Sequence, residues 1–195
     1  DPKTGCATFI VKEPGTYKVE EKVLTGWTSV SPTSYQATIV SGMDQQKFTF
    51  VNFKNVDVQV CKKNTEGAAI EGWKVYLNGV EKTTAAGTGC ATYTITAPGP
   101  YTVTEETRAG WTAISPIPNN FQFTAVSGGS YGPYTFVNFQ NVMITACKYK
   151  TLSPTEILSP TPLSMWPVDL YKDSTIDSQT TGGNGCYTWT VTTPG

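Results

Sequence analysis

The sequence predicts an all-β fold of tandem Ig-like β-sandwich repeats, and three observations predict it. Threonine, valine, tyrosine and glycine are abundant, and apolar residues alternate with polar ones over short runs, the period of a strand with one buried face. The stretch TGCATYTITAPGPYTVTEETRAGWT, from Thr88 to Thr112, occurs almost whole as TGCATFIVKEPGTYKVEEKVLTGWT from Thr4 to Thr28. Its first part returns as NGCYTWTVTTPG from Asn184 to Gly195. The offset from Trp27 to Trp111, or from Asn52 to Asn138, is about 85 residues, the size of a small β-sandwich.

Residues 1–53 read as the C-terminal part of one repeat. Ala7, Phe9 and Val11 alternate as a strand, Pro14-Gly15 turns, and Tyr17, Val19 and Glu21 share one face of the next strand. Gly26-Trp27 marks a bend, Tyr35–Val40 alternates again, and Lys47–Phe53 reads as a last strand with Phe48, Phe50 and Asn52 on one face. Residues 54–55 are too short for a flexible joint, so neighbouring repeats are expected to be stiffly coupled.

Residues 56–141 read as a complete repeat. Val56, Val58, Val60 and Lys62 share a face of its first strand, and Trp73, Val75 and Leu77 form a second that ends in the hairpin signal Asn78-Gly79. Ala91, Tyr93 and Ile95 form a third. Pro98-Gly99-Pro100 turns into Tyr101, Val103 and Glu105; Phe121–Val126 alternates; Tyr134, Phe136 and Asn138 close the repeat. Short strands with regular turns and no sustained helical period fit a sandwich.

Residues 142–195 read as the N-terminal part of a further repeat, with Val142, Ile144, Ala146 and Lys148 on its first-strand face and a proline-rich insertion at 151–169. The insertion reads as a surface loop, or alternatively as an extended contact arm with Leu163, Met165 and Trp166 at its tip. The sequence is expected to be a window on a longer repeat protein. The alternative is that repeats are completed between neighbouring chains. The Gly-Cys strand, present at both Cys6 and Cys186, favours the window.

Fourteen basic and fifteen acidic side chains balance, which argues against a nucleic-acid partner. No run approaches the roughly 20 apolar residues of a membrane span. With no histidine, hydrolase triads of the usual kind and most zinc sites are gone. No Cys-x-x-Cys pair or phosphate loop occurs, so neither enzymatic turnover nor a metal or other cofactor is expected. Cys6, Cys90 and Cys186 each follow glycine, and Cys61 and Cys147 each precede lysine. Two recurring cysteines per repeat suggest one disulfide each and an oxidising compartment; buried thiols are the plainer reading. Trp27, Trp73 and Trp111 read as core or corner packing rather than a sugar platform.

Lys62, Glu105 and Asn138 each follow two apolar residues at period two, on the inward parity of their strands. A lysine facing a small core is costly to keep charged, and a neutral buried amine is a nucleophile. A nearby carboxyl would polarise an asparagine amide for its attack, leaving a Lys–Asn isopeptide bond. The plainer reading is that Lys and Glu reach solvent at strand ends and Asn caps a turn.

Glu71-Gly72-Trp73-Lys74-Val75-Tyr76-Leu77, Gly89-Cys90-Ala91-Thr92-Tyr93, Pro98-Gly99-Pro100-Tyr101-Thr102-Val103-Thr104-Glu105, Gly110-Trp111 and Phe136-Val137-Asn138-Phe139 resemble the Cna B-type and SdrD B-like, prealbumin-like repeats of microbial surface and fibre proteins. The resemblance implies an isopeptide joining first-strand Lys62 to last-strand Asn138, assisted by Glu105. Glu21, Asn52 and Lys148 match the same positions in the partial repeats. Two features depart from the family. The loop Asn64-Thr65-Glu66-Gly67 is too poor in carboxylates for the calcium site of SdrD B-like repeats. The cysteines sit on the opposite parity, so a Cys61–Cys90 disulfide, with Cys147 and Cys186 as its counterparts, would staple the same first strand. The implied function is an extracellular, self-associating structural element of a microbial filament, sheath or stalk. The alternatives are an adhesin or carbohydrate-binding module with a surface glycan or matrix ligand, and spacer repeats of a larger secreted enzyme.

Overall fold

The computed structural model describes residues 4–150 and 161–195, Thr175 by its backbone alone. It is all-β. Four strands lie in the leading segment: β1 (Gly15–Glu20), β2 (Trp27–Ser29), β3 (Ser34–Ile39) and β4 (Asn52–Lys54). The central segment holds eight: β5 (Val56–Asn64), β6 (Lys74–Leu77), β7 (Val80–Thr83), β8 (Cys90–Ile95), β9 (Gly99–Glu105), β10 (Trp111–Ser115), β11 (Asn120–Ala125) and β12 (Tyr131–Gln140). Six follow: β13 (Val142–Cys147), β14 (Tyr149–Lys150), β15 (Thr161–Pro162), β16 (Pro167–Lys172), β17 (Thr175–Thr180) and β18 (Cys186–Val191).

The central strands form two four-stranded sheets, in the orders β10-β12-β5-β8 and β11-β9-β6-β7. The remaining strands pair two by two, as β1-β3, β2-β4, β13-β18, β14-β15 and β16-β17. Strand alternation sets which side chains go inside. On β5, Val56, Val58 and Val60 are buried while Asp57 and Gln59 are exposed. The hairpin from β6 to β7 turns at Asn78 (φ 47°) and Gly79 (φ 81°), the two left-handed residues a type I′ turn requires.

Contacts gather the chain into two compact units. The first comprises residues 1–58, 92–101 and 122–132. Its β1 pairs antiparallel with β3 from Gly15↔Ile39 to Glu20↔Ser34, and β2 with β4 from Trp27↔Lys54 to Ser29↔Asn52. Tyr35 packs against Phe48 and Phe50, with ring centroids 5.3 and 5.2 Å away. The turn at Ser127-Gly128 grips the end of β4: Lys54 N donates to Ser127 Oγ (2.8 Å), and Gly128 N donates to Lys54 O (3.0 Å).

The second unit comprises residues 59–91, 102–121 and 133–195. Here β6 lies between β7 and β9, with Val75 opposite both Lys82 and Glu105. Trp73, Val75, Val103 and Phe136 are wholly buried. Disulfides join Cys61 to Cys90 and Cys147 to Cys186. β13 pairs with β18 from Val142↔Val191 to Cys147↔Cys186.

Two expected strands differ. Ala7–Val11 belongs to no strand, and Phe9 and Ile10 are exposed. Of Lys47–Phe53, only the end from Asn52 onward is a strand. The cause is pairing: their central counterparts in β8 and β12 each lie beside β5, whereas β4 has only β2 as neighbour. Thr151–Pro160, most of the expected insertion, lies outside the described residues.

Candidate functional site

Lys62 on β5, Glu105 on β9 and Asn138 on β12 are all buried, and the first two meet. Lys62 continues the inward row of Val58 and Val60; Glu105 ends β9 opposite Val75; Asn138 lies on β12, beside β5, opposite Ala113. The side chains of Lys62 and Glu105 are fully buried, with Nζ 2.8 Å from Oε2. Asn138 is 3% exposed.

Lys62 and Glu105 form a buried ion pair. Lys62 Nζ, both Glu105 oxygens and Asn138 Oδ1 are all buried without a hydrogen-bond partner among the described residues. Burial pushes the Lys62 amine below its ordinary 10.5, the contact with Glu105 and its charge pull it back up, and the Arg108 charge pushes it further down. The arrangement is therefore a buried amine, a carboxyl in proton-transfer range and an amide with an unsatisfied carbonyl.

Trp73 is the floor of the site. Lys62 Nζ sits 4.6 Å from its ring centroid, Arg108 Cζ 4.2 Å, and the Trp111 ring meets it edge-on at 5.3 Å. Thr84 fixes the backbone there: Trp73 N donates to its Oγ (3.0 Å), its N donates to Trp73 O (2.9 Å), and its Oγ donates to Ile70 O (2.7 Å). Arg108 is held by Glu106 and by Gly72 O (2.8 Å). Sequence reasoning placed Trp73 in the core but missed Arg108. The aligned position in the leading segment is Leu24, so the repeat does not mark it.

Cys61 lies beside Lys62 on β5 and is bonded to Cys90 on β8, at a sulfur–sulfur distance of 2.08 Å. The same strand therefore carries the disulfide and the buried amine on adjacent residues. Gly89 makes the closure fit. Its φ is +63°, and an added Cβ would lie 2.8 Å from Lys62 O. Gly185 repeats this with φ +77° and 2.6 Å to Lys148 O.

The matching positions elsewhere carry parts of the same arrangement. In the leading segment, Glu21 Oε2 accepts from Asn52 Nδ2 (2.9 Å) and Oε1 from Ser29 Oγ (2.8 Å). Asn52 Oδ1 is buried without a partner, beside an open cavity of about 230 Å³ lined by Lys22, Leu24, Trp27 and Asn52. In the trailing segment, Lys148 Nζ lies 4.9 Å from the Trp166 ring centroid. Trp166 N donates to Thr181 Oγ (3.1 Å), Thr181 N donates to Trp166 O (2.9 Å), and Thr181 Oγ donates to Leu163 O (2.6 Å). Trp166, Thr181 and Leu163 thus stand where Trp73, Thr84 and Ile70 do. Leu163 is held in this framework, while Met165 and Trp166 are exposed at 77% and 46%.

Among the described residues no cluster of His, Cys, Asp or Glu could hold a metal, and no helix is long and apolar enough to cross a membrane.

No protein-family model matches the chain, and no curated protein matches it. Among solved structures, it is similar to a streptococcal ancillary pilin at 14% identity and a TM-score of 0.41, over 91% of this chain and 63% of that one. It is similar to the Bacillus anthracis TIE protein at 11% identity and 0.40, over 92% and 44%. It is also similar to BcpA, the major pilin subunit of Bacillus cereus, at 19% identity and 0.36, over 49% and 31%. The chain thus spans less than two thirds of each. Superpositions at this level carry no functional weight.

Proposed function

We propose that this chain is a structural element of an extracellular microbial filament, sheath or stalk, whose central sandwich is locked by two covalent cross-links on one strand. The observation that carries the reading is the fully buried Lys62 amine, 2.8 Å from Glu105, next to the Cys61–Cys90 disulfide. A buried ion pair is weak support for stability by itself, because desolvation offsets its attraction. Consumption of the amine in an amide bond removes that penalty.

The reaction needs only the three side chains. The Lys62 ammonium passes a proton to Glu105 across the 2.8 Å contact, leaving a neutral amine and a carboxylic acid. The amine attacks Asn138 Cγ while the acid donates to Oδ1. The tetrahedral intermediate collapses with loss of the amide nitrogen, which takes up protons and leaves as ammonia. One C–N bond breaks and one forms; Glu105 takes back the proton it lent to Oδ1 and ends as a neutral acid, holding the proton that Lys62 gave up. Each chain does this once, so the chemistry is maturation and not turnover.

The disulfides fit an oxidising compartment and, by restricting the unfolded chain, each contributes about 2–4 kcal/mol. Intact mass under reducing and non-reducing conditions tests the reading. We expect a mass short by one ammonia in both, restored by Asn138→Ala, and a gain of two hydrogens per disulfide on reduction. An unchanged full mass in both conditions would overturn it.

A further inference from the structure

The loop closed by the Cys61–Cys90 disulfide contains both the buried Lys62 amine and the indole beneath it. Lys62 directly follows the first cysteine, Gly89 directly precedes the second, and Ile70, Trp73 and Thr84 lie between. Glu105 and Asn138 lie outside the loop. The loop grips the Lys62 backbone on both sides: Lys62 N donates to Gly89 O (2.8 Å), and Ile70 N donates to Lys62 O (3.0 Å). Thr84 joins Ile70 to Trp73. Ala85 O accepts from Gly89 N, and Ala85 N donates to Cys90 O, both at 2.9 Å.

A side chain at residue 89 would break into this clamp. An added Cβ would lie 2.8 Å from Lys62 O and 3.0 Å from Ile70 N, the acceptor and donor of one of its bonds. The trailing segment repeats the clamp around Lys148. There Lys148 N donates to Gly185 O (2.7 Å), Leu163 N donates to Lys148 O (3.0 Å), and Cys147 and Cys186 form the adjoining disulfide. The disulfide also ties β5 to the neighbour away from Asn138: β5 lies between β8, which carries Cys90, and β12, which carries Asn138.

We propose that the Cys61–Cys90 disulfide is a positioning cross-link for the Lys62 reaction, so that the amide to Asn138 forms only after the chain has met an oxidant. Oxidation takes two protons and two electrons from the Cys61 and Cys90 thiols and passes them to an external disulfide, which becomes two thiols. The new bond closes a loop spanning a separation of 29 residues and restricts the open chain. Amine and indole then meet Glu105 and Asn138 as one preset piece. Attack depends on that placement, because a displacement of about 1 Å costs about 10²-fold in rate. The amide is thus withheld in a reducing compartment and made in an oxidising one.

This inference rests on the proposed Lys62–Asn138 bond, and its test separates the two. The full chain carrying Cys6→Ser is synthesised cell-free in dithiothreitol and divided. One half stays reduced; the other receives oxidised glutathione. Thiols are alkylated at intervals, intact mass counts the ammonia lost, and protease resistance gives the folded fraction. Per folded molecule, the oxidised half should lose one ammonia at least about tenfold faster. Cys147→Ser with Cys186→Ser should keep that contrast, whereas Cys61→Ala with Cys90→Ala should be slow in both halves. Gly89→Ala should be slow even with its disulfide formed. Equal rates per folded molecule would overturn the positioning role and leave the amide standing. No ammonia lost in either half would overturn the amide, and this inference with it. A second measurement decides the matter should the reduced chain not fold. The oxidised parent and oxidised Asn138→Ala are titrated with dithiothreitol. The parent should open Cys61–Cys90 at least about fivefold less readily, with Cys147–Cys186 opening alike in both. Equal opening of Cys61–Cys90 in the two proteins would overturn the coupling.

Discussion

The pocket over Trp73 and the pocket beside Asn52 are two states of one design, the first filled and the second open. In the first, a lysine, an arginine and a second tryptophan surround a buried indole, and the glutamate faces the lysine. In the second, the indole and lysine are absent, Leu24 replaces the arginine, and the glutamate turns to Ser29 and Asn52. The difference teaches that the carboxylate and amide are positioned by β1, β2 and β4 alone. What the full sandwich adds is burial and the nucleophile.

Breaking the filled pocket should have the largest effect. In the Asn138→Ala background, which keeps Lys62 as an amine, Lys62→Met leaves Glu105 buried without a counter-charge, and we expect a loss of about 3–5 kcal/mol in urea unfolding. Adding Glu105→Leu should recover most of it. Glu21→Gln, in the open pocket, should cost under about 1 kcal/mol, because its partners are neutral and part-exposed. Equal losses at Glu105 and Glu21 would collapse the distinction.

The staple comes next. Replacing Cys61 and Cys90 together by Ser and Ala should cost about 2–4 kcal/mol. Cys6→Ser should leave thermal unfolding unchanged, since Cys6 is exposed and belongs to neither disulfide.

The finest test is pH. Asn138→Ala keeps Lys62 as an amine. Its folded-state pKa lies below the ordinary 10.5, so between those values the unfolded chain binds a proton that the folded chain does not. Stability of that variant should therefore rise with pH toward 10.5, and level off above it. If Lys62 is consumed as proposed, the parent has no amine to titrate there and should lack this slope in a chemical-denaturation series.

Much of this was legible in residue order. Period-two alternation put Lys62, Glu105 and Asn138 on inward faces, and Asn78-Gly79 marked its hairpin directly. Three things were not. Strand pairing is non-local, so the alternation of Ala7–Val11 could not reveal that no neighbour holds it in a sheet. The stretch before Trp166 shifts the spacing from Lys148, which hid its kinship with Trp73. Arg108 lies outside every apolar pattern, and its place over Trp73 depends on a bond to Gly72 O that no spacing encodes.

Gly89 and the disulfide it admits also fix how the molecule answers a pull along its chain. Tension entering at Val56 reaches Cys61 and crosses the sulfur bridge to Cys90, bypassing everything between. The 29-residue separation thus withholds about 100 Å of contour from any extension, at roughly 3.5 Å per residue. Under load the β6–β7 hairpin and Trp73 would be shielded from stretching, and the sandwich would lengthen less than a reduced one before giving way.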